Sequence, residues 1–571
     1  MRGKKRVLGC VAAVVLMACG AAEPGSPTTG EDIPGVGGSG GPGGADDAWE
    51  PDGGPDETST SSGSDESEAS TDGTDSGGID DSSGSDGGAE VDVCAVMAGT
   101  LDGLATCHDG PTPFDGISAF VQEWEAPGAS MVIPLVANLT DDNGDGAVDL
   151  CDTPDVVYTR MDTYTGTMSA TVQVLDGATG DVHHVVTEDA HPAVTPALAD
   201  IDDDGQIEIV TLVRAGLGTG LHLAAFGEEG TLQWASAHEI ATNQLSNGEG
   251  MFLNHISPLT VAIHDLDASG SPEIMVGRHV YDAVGDLLWS APPAPELEEE
   301  GFVGAFALDV NDDGEMEVLL GNAVYSAAGE LLAATGVPAG VRSLPHVADF
   351  NLDGAADYLL STDAGVVYGS AGAPFWDPVT PAAPNDVSAN PIAIADLTGD
   401  GAPDYVVPTA DAIGVWQADA PPFASAAVTA PGRLGATAFD FWGDGAPETV
   451  FASSEYLRID LDVMQTGTHV GIGRNVSASR VEYPIVADVD GDGSAELLVS
   501  GAEEERGLRV FGAQSGSFLQ ARRIWNQHAY YVTNIAEDGT VPQHVVPPWE
   551  GDNTFRVNSA LWPGERCLPR S

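Results

Sequence analysis

The chain has 571 residues, with 19 Lys and Arg against 89 Asp and Glu, for a formal charge of −70. A surface this acidic repels nucleic acid and anionic lipid headgroups, so neither is expected as a direct partner, and it suits divalent cations. Both lysines, Lys4 and Lys5, sit at the N-terminus, and no later run of 18 apolar residues would make a spanning helix.

Arg2, Lys4, Lys5 and Arg6 precede an apolar stretch, Val7 to Met17, of the length of a signal-peptide core. It ends in Leu16-Met17-Ala18-Cys19, which resembles a bacterial lipobox. The resemblance implies that residues 1–18 are a lipoprotein signal peptide, that Cys19 carries lipid, and that the chain is exported and lipid-anchored at the cell envelope, in the outer membrane or at the cell surface. Ordinary secretion, with cleavage after Gly20-Ala21-Ala22, is the alternative.

Residues 19–92 are mostly Gly, Ser, Asp, Glu, Thr and Pro, with Trp49 the only aromatic. Such a segment buries too little apolar surface to offset its ordering entropy, which predicts a disordered acidic linker. Flexible-coil scaling gives it a root-mean-square reach of about 45–50 Å.

From residue 93 onward, short apolar runs alternate with acidic glycine loops. The loops begin at Asp141, Asp200, Asp265, Asp309, Asp349, Asp396, Asp440 and Asp488, at spacings of 59, 65, 44, 40, 47, 44 and 48 residues. Periods of 40–50 residues with about four short strands each predict the blades of an all-β propeller. Helical periodicity is hard to find, because Gly and Pro interrupt nearly every window.

Counted from its first Asp, each loop places oxygen-bearing side chains at positions 1, 3, 5 and 9, with a glycine at position 6 for the bend. Alternate residues of a tight turn point inward, so these oxygens converge. Crowded carboxylates repel unless a hard cation lies between them, and calcium, with 6–8 oxygen ligands in flexible geometry, fits best. Five sets are complete: Asp141/Asn143/Asp145/Asp149, Asp200/Asp202/Asp204/Glu208, Asp309/Asn311/Asp313/Glu317, Asp349/Asn351/Asp353/Asp357 and Asp488/Asp490/Asp492/Glu496. The first adds Asp152 at position 12. Asp265/Asp267/Ser269/Glu273 and Asp396/Thr398/Asp400/Asp404 each carry one hydroxyl, and Asp440/Asp444/Glu448 has Trp442 at position 3, which donates no oxygen. Several calcium ions per chain are therefore expected.

These loops resemble the FG-GAP and VCBS repeats of exported bacterial proteins and of integrin α-chain propellers, over about residues 130–515. The resemblance implies a propeller of seven or eight blades, eight favoured by the loop count, with a calcium loop between two strands of each blade. Residues 516–571 would close it. The stretch Arg522-Arg523-Ile524-Trp525-Asn526-Gln527-His528-Ala529-Tyr530-Tyr531 reads as a packed closing strand, with a polar pocket as the alternative.

With Cys19 lipidated, Cys94, Cys107, Cys151 and Cys567 remain. An even number in an exported chain predicts two disulfides, with three pairings open. A ring must join its ends, so Cys151–Cys567 across the seam and Cys94–Cys107 ahead of the first blade are the expected pair, with the C-terminal segment around Trp525, Tyr530 and Trp549 packed beside that seam.

Two functions compete. The first is a cell-surface binding or adhesion module for an extracellular glycan, protein or matrix component, since rigid blades with variable loops make a binding platform. The longest departure from the repeat, between Gly216 and His255, holds Trp234, His238, Asn243, Asn247 and His255 and is the first place to look. The second is a calcium-dependent polysaccharide-degrading enzyme, a role calcium-bearing propellers fill among the lyases. Its mark would be His, Arg or Tyr converging near one calcium. His183 and His184 alternate along a strand, so they face opposite ways and are poor joint ligands. Fold alone does not decide between these readings.

Overall fold

The computed structural model describes residues 119–561, apart from 163–168, 215–219, 241–258, 292–303, 312, 322, 336–342, 363–364, 371–389, 409–411, 418–423, 428–434, 453–455, 461–468 and 476–481. The signal segment, the linker and Cys19, Cys94, Cys107 and Cys567 lie outside these residues. The described chain is all-β, broken only by three-residue 3₁₀ turns such as Val532–Asn534 and Pro548–Glu550.

The sheets form a propeller-like series of antiparallel meanders. Ala305–Leu308, Glu317–Leu320, Ala323–Tyr325 and Leu331–Ala334 make one four-stranded sheet in sequence order. Ile394–Ala395 through Ala424–Ala427, and Gly435–Phe439 through His469–Arg474, make two more. An eight-stranded sheet is two meanders in series, Leu135–Ala137 to Val182–Ala190 and Ala197–Ala199 to Leu232–Ala235, joined by the single pair Ala190–Val213. Leu259–His264 to Leu287–Ser290 and the three-stranded Ser343–Ala348 to Gly365–Ser370 complete the series before the last sheet.

Sequence explains the order of strands within a meander. First strands such as the apolar Leu259–His264 are buried at every residue, and fourth strands such as Leu232–Ala235 and Leu287–Ser290 are largely exposed. A strand covered on both faces reads as a continuous apolar run, and one facing solvent does not. The outer strand also carries the contact between sheets. Trp124, Trp234 and Trp289 each lay an indole over a turn glycine of the following meander: Gly180, Gly285 and Gly329. A Cβ at Gly180, where φ is +74°, would meet the Trp124 ring at 2.5 Å.

Trp124 shows how the series ends. It lies on Phe120–Ala126, which pairs antiparallel with Leu508–Ala513 and so supplies the fourth strand of the sheet Ile485–Ala487, Glu496–Ser500, Leu508–Ala513. Its indole donates to Gly177 O at 2.7 Å in the first meander. The N-terminal strand thus completes the last sheet and binds it to the first. The edges expected to need a disulfide are already paired by main-chain hydrogen bonds. Cys151 is itself disulfide-bonded, and every other cysteine lies outside the described residues.

The C-terminal segment packs at that seam, where Arg522 O accepts from Asp488 N of the last sheet and Arg523 donates to Leu150 O beside the first, and it continues well past it. It runs through the middle and meets each meander at its first strand or at the residue that follows. Trp525 exchanges both main-chain hydrogen bonds with Val136 (2.9 and 3.1 Å). Asn526 O accepts from Leu198 N, and Gln527 Oε1 from Ile263 N. Tyr531 donates to Ala307 O, and the Asn553 side chain brackets Asp349, accepting from its N–H and donating to its carbonyl. Phe555 pairs with Ile394, Arg556 O accepts from Thr437 Oγ1, and Asn558 Nδ2 donates to Val486 O. Trp525, Asn526, Gln527 and His528 are fully buried, and Trp525 stacks on Tyr530 at 4.4 Å. Gln527 Nε2 meets His264 Nε2 at 3.2 Å and Asn526 Oδ1 accepts from Asn534 Nδ2 at 3.0 Å, so these buried amides are held inside the packing, which favours a packed segment over an open polar pocket.

Candidate metal centres and a polar cavity

Each acidic loop joins the first and second strands of its meander. In seven loops the residue before position 1 pairs in register with the position 9 acid, as in Ala199 with Glu208 and Ala487 with Glu496. The position 9 acid therefore opens the second strand and is buried, at most 8 % exposed. Its oxygen accepts the position 2 amide in all seven, at 2.8–3.0 Å. The position 1 carboxylate accepts the amide of the position 6 glycine in all eight loops, at 2.6–3.1 Å. These glycines, from Gly146 to Gly493, hold φ between +83° and +97°, a conformation closed to most side chains. Position 4 is left-handed too in the seven loops where it is described, even where it is Asp203, Ala268 or Leu352. The sequence reading missed that second bend because these three residues are not glycine.

The electrostatics are those of crowded, half-sunk carboxylates. Burial raises Glu208, Glu273, Glu317 and Asp404 to about 7, and Glu448 to about 10, with the loop's own acids adding to the rise. Asp488 and Glu496 are raised by burial and by the neighbouring loop acids, against a partial offset at Asp488 from Arg523. Carboxylate oxygens of Asp200/Asp202/Glu208, Asp265/Asp267/Glu273, Asp440/Asp444/Glu448 and Asp488/Asp490/Asp492 lie within 4.8 Å of one another. Oδ1 of Asp404 and Oδ1 of Asp488 are buried with no hydrogen-bond donor. An anionic oxygen left without a donor is costly, and a calcium ion held by positions 1, 3, 5 and 9 would satisfy it. The donor set fits that ion.

The expected convergence of all four positions is incomplete, and the reason is that several side chains serve the turn itself. Asp204 stays out of the close grouping in its loop and caps Gln206 N at 2.9 Å. Ser269 donates its hydroxyl to Ser271 O at 3.3 Å. Among the described residues, neither Asp309, Asp313 and Glu317 nor Asp349, Asp353 and Asp357 draw together as closely as the four groupings above. Asp313 caps Glu315 N at 3.0 Å. Asp357 accepts the amides of Phe350 and Asn351 on one oxygen, at 3.0 and 3.2 Å. Asn311 spends its amide on Glu317, and Asn351 Oδ1 accepts from Asp353 N.

The loops therefore differ in how closely their side chains gather. The Trp442 loop still brings its three carboxylates together. In the Asp396 loop, Gln417 Nε2 holds both oxygens of Asp400 (2.9 and 3.1 Å) and keeps that carboxyl below its usual range, while Thr398 turns its hydroxyl to Asp396.

The first loop departs in register. Ala137 pairs with Asp155, and Leu139 N donates to Asp155 Oδ2, so Asn138 and Asp155 occupy the places that positions 1 and 9 hold elsewhere. The Asp141 loop is an insertion between them. Within it Asp141 accepts the amides of Gly144, Asp145 and Gly146, Asn143 and Asp145 each cap the residue two ahead, and Asp149 accepts from Cys151 N. Asp152 gathers the amides of Asp142, Asn143 and Asp149.

Of the residues expected in the long departure from the repeat, Asn243, Asn247 and His255 lie outside the described residues. His238 Nδ1 is 2.8 Å from Tyr281 Oη, and its ring lies 4.8 Å from that of His279. Burial lowers both imidazoles, His279 to about 3, with neighbouring cationic groups adding to the effect. His183 meets Asp142, Asp155 and Asp176, a grouping the local pattern gave no sign of.

A cavity of ≈ 360 Å³ opens between the Asp396 and Asp440 loops and the C-terminal segment. Asp396, Asp440, Asp552, Thr554, Asn558 and Ser559 supply its polar wall. Ser559 Oγ donates to Asp552 Oδ2 at 2.6 Å. No basic side chain lines it among the described residues. Sequence reasoning missed this site because Asp552 and Ser559 reach it only through the central path of the chain.

No protein-family model matches the chain, and no curated protein matches its sequence. Solved structures do match it in fold. The V. cholerae biofilm matrix protein Bap1 superposes with a TM-score of 0.62 at 18% identity, over 78% of this chain and 100% of that one. A rhamnogalacturonan lyase from Bacillus licheniformis superposes with a TM-score of 0.51 at 14% identity, over 80% of this chain and 82% of that one. At these identities the likeness is one of fold: this chain is all-β with a propeller-like arrangement of sheets.

Proposed function

We propose that the chain is an exported, calcium-binding propeller of eight blades that binds an extracellular, hydroxyl-rich glycan at the cell envelope. The observation that carries the reading is the cavity at Asp396, Asp440 and Asp552. Carboxylate, amide and hydroxyl groups converge there on a concave wall, the usual form of a small-molecule site. Its acidity favours a neutral sugar over a polyanionic one, which would be repelled. The fold likeness to a biofilm matrix protein agrees with a matrix component as ligand. Eight loops, one per meander, with the last meander completed by Phe120–Ala126, support eight blades.

A glycan array probed with the full chain tests this. Binding to neutral polysaccharides is expected in calcium and is lost in chelator. Asp552→Asn should weaken it about tenfold, the loss of a charge-assisted hydrogen bond. Equal binding by both proteins would show that the cavity is not the site. The second reading, a polysaccharide-degrading enzyme, draws on the His238–Tyr281–His279 grouping, which brings residue types used for proton transfer within hydrogen-bond reach. It predicts shortened chains from the bound polysaccharide in the same incubation, and a His238→Ala variant that no longer shortens them.

Lipid attachment at Cys19 and the pairs Cys151–Cys567 and Cys94–Cys107 belong to the same proposal. Non-reducing peptide mapping of protein purified from the envelope examines both. We expect an acylated peptide beginning at Cys19 and a crosslinked peptide holding Cys151 with Cys567. An unmodified N-terminal peptide would refute the anchor, and Cys151 joined to Cys94 or Cys107 would refute the pairing.

A further inference from the structure

We propose that Asp142, Asp155, Asp176 and His183 form a separate site for a transition metal of the zinc class, distinct from the calcium loops. His183 Nε2 lies 3.6 Å from Asp142 Oδ1, 3.5 Å from Asp155 Oδ1 and 3.6 Å from Asp176 Oδ2. Ligand atoms at about 2.0–2.2 Å from a tetrahedral zinc ion stand about 3.3–3.6 Å apart, which the three distances from His183 match, and the ligand atoms of Asp142, Asp176 and His183 all lie within 4.8 Å of one another. It is long for direct hydrogen bonds.

Four separate segments converge to make this spacing. Asp142 comes from the inserted loop, Asp155 opens the second strand, Asp176 ends the third, and His183 stands on the fourth. Asp155 and Asp176 are direct cross-strand partners. Like charges placed opposite each other destabilise a sheet unless something lies between them. Asp155 is fully buried. Its Oδ2 accepts the Leu139 amide at 2.9 Å, a support of the kind that orients metal-binding carboxylates.

A second observation comes from Asn138, which takes the register place of a first ligand. It is 7% exposed, and its Oδ1 is buried without a hydrogen-bond partner. The imidazole sets the metal class. Calcium takes oxygen ligands, whereas a mixed nitrogen and carboxylate set suits zinc, manganese or cobalt. This inference does not rest on the proposed glycan function.

The test titrates Zn²⁺ into the full chain in millimolar calcium, which keeps the acidic loops filled. His183→Gln and the exposed-loop variant Asp142→Asn are run beside it, each checked for cooperative melting. We expect zinc uptake with one equivalent weakened about tenfold or more in each variant. With Co²⁺ as probe, the wild-type visible absorption should be absent in His183→Gln. A wild-type chain that takes no zinc overturns the proposal, as does an isotherm shared by wild type and folded Asp142→Asn. Should His183→Gln not fold, Asp142→Asn alone decides.

Discussion

Excess chelator should lower the melting temperature of this protein by roughly 10 °C or more, and added calcium should restore it. An ion at a hundred times its dissociation constant stabilises by about 2.7 kcal/mol per site, so five complete loops exceed about 10 kcal/mol, as much as the whole stability of many domains. The dependence on pH carries the same information. Glu208, Glu273 and Glu317 at position 9 are raised by burial to about 7 from an ordinary value near 4.5. Without calcium the folded state holds these protons more tightly than the unfolded state does. Their contribution is complete below about pH 4.5 and is lost as pH rises through about 7. With calcium the ion takes the proton's place, so uptake near pH 6 should release protons and calcium affinity should rise with pH. Among single changes, Asp490→Ala should weaken binding more than Thr398→Ala. An unchanged melting curve in excess chelator would sink the account of the loops.

The second large effect is expected from Arg522. Its guanidinium is buried in the central segment, 2.7 Å from Glu537 Oε1, and it also donates to Tyr530 Oη (3.2 Å), Val532 O and Ile535 O (2.7 Å). These bonds bend residues 522–537 back on themselves. In that shape the segment presents Trp525, Asn526 and Gln527 to three successive first strands. Arg522→Met would leave the buried Glu537 without its ion-pair partner, with the Arg523 amide still on Oε2 at 3.3 Å, at a cost of about 3 kcal/mol. Adding Glu537→Gln should recover part of that loss, because the stranded charge is gone. Denaturant unfolding measures both. A single variant as stable as wild type would mean that the segment is an appendage rather than the part that ties the blades together.

The features legible in sequence are those written locally. Eight acidic loops of one pattern predicted all-β meanders and placed each loop between a first and a second strand, because the glycine at position 6 and the acid at 9 serve the turn itself. What stayed hidden depends on residues far apart. Phe120–Ala126 reads as one more short strand, and only its pairing with Leu508–Ala513 shows that it completes the last sheet. Residues 522–531 read as a closing strand beside a seam, yet the partners of the C-terminal segment run from Val136 to Val486. The first loop was placed at Asp141 by its spacing of acids, while the strand register runs from Asn138 to Asp155. Spacing cannot reveal an insertion that carries its own acids. Nor can it tell a side chain aimed at an ion from one that caps the turn, as Asp204 and Asp313 do. His183 was set aside because His184 faces the other way, and its true neighbours come from three other segments.

The central claim is that the acidic loops are held by calcium. Metal analysis of the full chain, dialysed against calcium and then against metal-free buffer, tests it most directly. We predict at least five tightly held calcium ions per chain, the number of loops with four carboxylate or amide ligands. Asp490→Ala should hold one fewer. A dialysed chain that melts cooperatively and retains no calcium would contradict the account.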